Sequence, residues 1–316
     1  MTLYIDDDLV SASLSAPEAF ACVDRAFRSL AKGSGVNAIR RRSKSGDAVL
    51  NVMWALAPDE GIMGVKSYPV VRAGVTQGAV LTLLVYSMES GELLAVVKAD
   101  RLGQLRTGAA TAVATVALAR QDSEVLSIYG TGFQAETQVM ALADAFPGLR
   151  SLRVVGRSAV RRDSFIERLR GTLSLEIVAD SPQSAARAAD VIVTATGSSD
   201  PVIHGSWIRP GTHVNAIGSN LDTKREVDRG LLERAALIVV DDREVAAVDC
   251  GDLIVNGWDQ ASVGTIGDVL VGSISGRLSR DDVTVFLSQG IALQDVVCGA
   301  AILSKLVDSG LGSRVF

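Results

Sequence analysis

Histidine is almost missing from this chain: His204 and His213 are the only two in 316 residues. That leaves little room for a histidine-rich metal site, so no metal is expected. It also hands any acid–base work to Lys, Asp, Glu or water. Cysteine is equally sparse. Cys22, Cys250 and Cys298 form no C-x-x-C pair and read as reduced thiols of a cytoplasmic protein. No G-x-S-x-G elbow is present, which removes that form of serine catalysis. Long apolar runs are absent too. The longest candidate, residues 107–119, falls short of the roughly 18–20 residues that span a bilayer, so no membrane partner is expected. Residues 1–8 are acidic and lack a basic n-region, so no secretory signal is expected. The net charge of −5 argues against nucleic acid as a partner.

What is present is a fingerprint. The apolar run Val125, Leu126, Ser127, Ile128, Tyr129 climbs into Gly130-Thr131-Gly132-Phe133-Gln134-Ala135 and then into a helical stretch. This is the G-x-G-x-x-A form of a dinucleotide-binding βαβ unit. Gly130 permits the tight turn, Gly132 lets the backbone approach a pyrophosphate, and Ala135 is small enough for close helix–strand packing. The pyrophosphate would sit on the helix N-terminus, where unpaired N–H groups favour an anion. Strand-like segments follow at 151–155, 175–178, 190–196, 213–217 and 236–240, separated by helical or loop stretches. That alternation implies a parallel sheet and an α/β fold.

Residues 1–118 precede or adjoin this unit. A helix with Pro17 in its first turn is expected over 17–31. Strands are expected at 49–53, 63–68, 79–86 and 93–98, with a hairpin turn at 89–92. A C-terminal helix is expected over 290–311. The expected organisation is a Rossmann domain at 119–289 and a discontinuous α+β substrate and dimerisation domain from 1–118 and 290–316.

Several motifs in this order resemble the ornithine cyclodeaminase/mu-crystallin family: Gly64-Val65-Lys66; Ala99-Asp100-Arg101-Leu102-Gly103-Gln104-Leu105-Arg106-Thr107-Gly108-Ala109-Ala110; Ile192-Val193-Thr194-Ala195-Thr196; the run from Trp207 to Gly218; and Thr284-Val285-Phe286 with Gly290-Ile291-Ala292-Leu293-Gln294-Asp295. The resemblance spans nearly the whole chain. It implies a homodimer and an enzyme that handles an imine next to a carboxylate, with hydride moving to or from a nicotinamide. Cyclodeaminases, alanine dehydrogenases and imine reductases all belong to this group.

Lys66, Arg106 and Asn220 are the catalytic candidates, and Arg40, Arg42, Met53, Lys66 and Arg106 the substrate-binding ones. A lysine in the apolar strand ending at Lys66 needs a partner or a function; the competing assignment is a snorkelling lysine at a strand edge. Arg106 is expected to open a helix of small residues, so that its guanidinium and the first free N–H groups converge on a carboxylate. The alternative is a surface ion pair. Arg40 and Arg42 share one face of an extended segment, and the resemblance puts a carboxylate-binding arginine in this region, Arg40 first and Arg42 second. The resemblance gives Met53 a pocket-lining place. It gives Lys66 contact with the substrate carboxylate and the reacting nitrogen.

Asn220 is a departure. Cyclodeaminases carry an aspartate there, and an amide cannot accept a proton as a carboxylate does. Asp222 lies two residues on and would need a different loop path. The favoured reaction is therefore reduction of an α-imino acid to an α-amino acid. A cyclodeaminase that releases ammonia from ornithine or lysine, or a non-catalytic binding protein, are the alternatives.

NAD sites usually end the second strand with Asp or Glu for the ribose 2′-hydroxyl. Here Val154-Val155 leads into Gly156-Arg157-Ser158, with Arg161 and Arg162 one turn on. Arg157, Ser158 and Arg162 suit a 2′-phosphate, so NADP(H) is expected over NAD(H). Arg157 stacked on adenine would instead leave both usable. Thr194, Ala195 and Thr196 are expected to face the cofactor, with Gly218 and Asn220 beside the nicotinamide; the resemblance implies that the loop of Ser288, Gln289 and Gly290 reaches toward it.

Overall fold

The structure is a computed structural model that describes residues 2–71, 80–309 and 313–314. Ala79, expected to begin a strand, and the last two residues of the expected 290–311 helix lie outside the described residues. The chain divides into two compact units, Met1–Arg106 with Ile291–Phe316, and Thr107–Gly290. Among the described residues no helix is long and apolar enough to cross a membrane.

The first unit is a mixed sheet. Its order is Ser313–Arg314, Leu3–Ile5, Leu93–Lys98, Thr82–Ser87, Ile62–Val71, Ala48–Ala57, Val36–Asn37, with Arg41–Ser45 pairing only Ala48–Ala57. Leu3–Ile5 runs parallel to Leu93–Lys98; the other pairs are antiparallel. The turn at residues 88–90 is closed by Ser87 N–H donating to Glu92 O at 2.9 Å. Alternation along Ala48–Ala57 separates two faces. Asn51, Met53, Ala55 and Ala57 are buried, whereas Leu50 and Trp54 are 49% and 39% exposed. Helix Ala292–Ser309 packs on the buried face: a Cβ on Gly64 would lie 2.9 Å from Val296 Cγ2. Helix Ala16–Ala31 begins with a capping box in which Ser15 and Glu18 satisfy each other's backbone N–H groups.

The second unit is a parallel sheet of order Glu176–Ala179, Ser151–Val155, Val125–Tyr129, Val191–Thr194, His213–Ala216, Val283–Leu287, Ala235–Val240, Gly264–Thr265. Every neighbouring pair is parallel. The central strands Val191–Thr194, His213–Ala216 and Val283–Leu287 are buried at every position, as strands covered on both faces must be. The Thr284-Val285-Phe286 motif enters the sheet between two strands that the sequence places side by side.

The expected boundary moves. Helix Asp100–Leu118 begins six residues before Arg106. Its first bond already runs from Gly103 N–H to Ala99 O, and Asp7 Oδ1 takes the Arg101 N–H at 2.9 Å. The small residues after Arg106 pack into the second unit, where a Cβ on Gly108 would meet Thr137 O at 2.8 Å. The division therefore falls after Arg106 rather than after residue 118.

Candidate active site

The first unit gathers charge from three distant stretches of chain. Lys66 lies on the buried face of Ile62–Val71 and is 2% exposed. Its Nζ donates to Asp295 Oδ1 at 2.7 Å. Asp295 stands in the first turn of Ala292–Ser309, where a helix N-terminus favours an anion. Arg106 Nε is 3.3 Å from the same Oδ1, and its Nη1 donates to Gln294 Oε1 at 3.0 Å. Lys66 is thus no edge lysine, and Arg106 no surface one.

Two cations share one carboxylate oxygen, and Asp295 Oδ2 is buried without a hydrogen-bond partner. The Lys66, Arg106 and Asp295 trio carries a net positive charge out of water, which suits a second anion. Burial pushes the Lys66 amine from 10.5 down to about 8; Asp295 opposes that, while Arg106 and Arg40 add to it. For Asp295 burial works upward, and Arg106 and Lys66 overcome it, holding the carboxyl below its usual range.

Arg40 is buried, its Nε 3.3 Å from Sδ of the buried Met53. Arg42 is exposed on Arg41–Ser45, a strand exposed along its whole length. The shared face expected for the two arginines is not seen, because Arg40 lies before that strand, and only Arg40 belongs with Lys66. Arg106 does not open a helix. It sits inside its helix, so the free N–H groups of the helix start are not beside it and the guanidinium itself is what faces an anion.

The second unit carries the dinucleotide fingerprint. Gly130 has φ +113°, and a Cβ there would lie 2.3 Å from Ala195 O. Gly132 is the N-cap of Phe133–Ala145, has no side-chain cap, and has open space where a Cβ would stand. The orphan N–H groups of that helix are left for an anion. Ala135 is buried against the sheet, Phe133 is exposed and Gln134 half-buried. A cavity of about 780 Å³ runs past this turn, lined by Gly130, Thr131, Gly132, Arg157, Ser158, Arg161, Ala195 and Thr196 among others. A glycine turn, an uncapped helix start and a cavity of this size fit a dinucleotide.

Other expected cofactor residues do not line this cavity. Arg162 pairs with Asp163 at 3.0 Å, and its neighbour Arg161 takes the lining place, because the helix starting at Ala159 turns the two side chains apart. Thr194 turns its hydroxyl to Glu226, and Gly218 donates its N–H there as well. Ser288 is buried and donates to Asp241, which also accepts the Gln289 and Gly290 N–H groups. Asn220 is half-buried in the loop after His213–Ala216. Asp295, Gln294 and Glu226 received no role from sequence. Asp295 closes the Gly290-Ile291-Ala292-Leu293-Gln294-Asp295 run, and a buried lysine that needs a counter-ion is the signal that points to it.

The sequence profile of the ornithine cyclodeaminase/mu-crystallin family matches residues 6–310. The alanine dehydrogenase of Archaeoglobus fulgidus is 33% identical over 327 residues, covering 99% of this chain and 98% of that protein. An archaeal alanine dehydrogenase dimer with bound NAD superposes with a TM-score of 0.93 at 30% identity, covering 100% of this chain and 99% of that one. The Thermococcus litoralis Δ1-pyrroline-2-carboxylate reductase in complex with NADH and L-proline gives a TM-score of 0.93 at 26% identity, with 99% and 100% covered.

Proposed function

The chain belongs to the ornithine cyclodeaminase/mu-crystallin family, and from that premise we propose that it is an NADP(H)-dependent reductase of an α-imino acid. The observation that carries this reading is the buried Lys66–Asp295 pair with the part-buried Arg106 on the same carboxylate. Arg106 supplies a planar fork for the substrate carboxylate, with Arg40 as its second cation. Lys66, with its amine near 8, is charged at neutral pH yet gives up a proton readily. It is assigned to hold the imine nitrogen and to provide the proton that nitrogen needs. Asp295 keeps Lys66 charged and aimed. The nicotinamide, when bound, supplies the hydride that the imine carbon accepts. Reduction then adds one hydride at carbon and one proton at nitrogen.

Asn220 in place of a carboxylate favours reduction over cyclodeamination. Arg157, Ser158 and Arg161 on the cavity, with no acidic residue at the end of Ser151–Val155, favour the 2′-phosphate of NADP(H). The sheet face bearing Leu50 and Trp54 supports a homodimer, since Pro69 and Val65 stand opposite them in register and extend an apolar surface.

The test is oxidation of NADPH and of NADH with pyrroline-2-carboxylate, piperideine-2-carboxylate, iminosuccinate, or pyruvate plus an amine, alongside ornithine with an ammonia readout. Oxidation with any imine supports the reductase, and the faster dinucleotide names the cofactor. Ammonia from ornithine without imine-dependent oxidation would replace it with a cyclodeaminase.

A further inference from the structure

One buried carboxylate outside the Lys66–Asp295–Arg106 cluster is left without a task. Glu226 is fully shielded from water. Its Oε2 accepts from Thr194 Oγ1 and from Gly218 N–H, each at 2.7 Å, and its Oε1 accepts from Thr196 N–H at 2.7 Å. Thr194 and Thr196 flank the end of one central strand, and Gly218 follows the end of the next. A single side chain therefore ties together two turns on the edge of the sheet where doubly wound folds bind ligands. Space confirms how tightly these parts fit. A Cβ on Gly218 would lie 2.4 Å from Thr196 O and 2.5 Å from Glu226 Oε1. On the other side, Ala195 O backs the Gly130 turn, and Ala195 N–H donates to Tyr129 O at 2.8 Å. Glu226 is itself held at both ends: its N–H donates to Asp252 Oδ1 at 2.7 Å, and its carbonyl accepts from Val202 and Ile203 N–H groups.

We propose that Glu226, as a carboxylate, is a positioning residue for the dinucleotide, setting the 194–196 segment and the Gly218 turn against the Gly130 phosphate turn. The proposal rests on the dinucleotide reading of that cavity. Two of its three donors are backbone N–H groups, which cannot rotate away. A proton on Oε1 would set an O–H donor against the Thr196 N–H, and a proton on Oε2 would make the Thr194 hydroxyl reverse to accept it and leave both N–H groups on a neutral carboxyl, so the protonated form holds the edge less well. Burial raises the carboxyl to about 7, its hydrogen bonds from Thr196 and Thr194 oppose the rise, and Asp252 on the Gly251–Ile254 helix adds to it. Arg225 pairs with Asn256 and faces Asp252; Lys224 reaches Gly197 O; Asp228 holds His204. None of these cations contacts the Glu226 oxygens directly.

The experiment is binding of NADPH and NADH by isothermal titration at pH 8, 7 and 6, with the wild-type chain and Glu226→Gln, each checked for folding by thermal unfolding. If the wild-type chain binds neither dinucleotide at pH 8, the reading of the cavity fails, and this proposal with it. Where it binds, E226Q is expected to bind at least about tenfold more weakly at pH 8, with the gap closing towards pH 6 as the wild-type carboxyl takes up its proton. The ratio of the two affinities cancels any titration of the dinucleotide itself. A ratio that stays constant with pH, or a difference under twofold at pH 8, overturns the proposal. If E226Q does not fold, the wild-type profile with NADH decides: weakening of about five- to tenfold from pH 8 to pH 6 supports the role, and a change under twofold overturns it.

Discussion

Replacing Lys66 with methionine is expected to abolish activity without destabilising the protein. Methionine keeps the length and most of the volume of the lysine stem. The magnitude follows from burial. The amine drops from 10.5 to about 8 even with Asp295 at 2.7 Å. Each pH unit between the unfolded and folded values is worth about 1.4 kcal/mol, so carrying this charge at pH 7 costs about 3 kcal/mol. Stranding a buried counter-ion would cost about 3–5 kcal/mol. Asp295, however, keeps Arg106 at 3.3 Å, so its carboxylate is not stranded. Lys66→Met should therefore be between neutral and about 3 kcal/mol more stable in urea unfolding at pH 7.

The pH dependence has a definite sign. The folded value lies below the unfolded one, so between about 8 and 10.5 the unfolded chain binds more protons. Wild-type stability should rise through that window relative to the variant, by about 3 kcal/mol, and the advantage of the variant should vanish above it. A loss above about 1 kcal/mol at pH 7, or a difference that ignores pH, would refute the reasoning and show that the ion pair outweighs burial. In the same variant kcat/KM with the responding imine should fall at least about 100-fold. An unchanged kcat would remove Lys66 from proton delivery.

Three further outcomes follow from the geometry. Arg157→Ala with Arg161→Ala should raise KM for NADPH at least about tenfold and leave NADH within about twofold, since charge-assisted bonds to the 2′-phosphate are lost; equal effects on both would show that the arginines do not read that phosphate. Gly218→Ala should weaken dinucleotide binding and lower the melting temperature, because the new methyl would stand 2.4 Å from Thr196 O; unaltered binding by titration would contradict the tight edge. Leu50→Glu on the exposed sheet face should give a smaller mass by light scattering while the fold is retained, and an unchanged mass would move the interface elsewhere.

Much of the second unit was legible because its determinants are local. The positive φ at Gly130, the open space at Gly132 and the small Ala135 are properties of six consecutive residues. The buried parallel strands announce themselves as short apolar runs. The capped helix Ala16–Ala31 is equally self-contained, since Ser15, Pro17 and Glu18 lie within one turn. Where the determinant comes from afar, local sequence does not carry it. The start of Asp100–Leu118 is stabilised by Asp7, 94 residues away, and no local pattern at Arg106 could show that Arg106 lies inside a helix. Arg161 and Arg162 differ by one residue, and only the helix built on them decides which one meets the cavity.

The sequence by itself determined the fold class and marked the glycine turn and a set of candidate cations, because each depends on residue type and short-range spacing. Tertiary structure alone decided which charges meet. Lys66 and Asp295 are 229 residues apart, and Glu226 reaches back 32 residues to Thr194. Burial then sets what those meetings are worth, since a carboxylate or an amine removed from water is governed by the few groups that surround it.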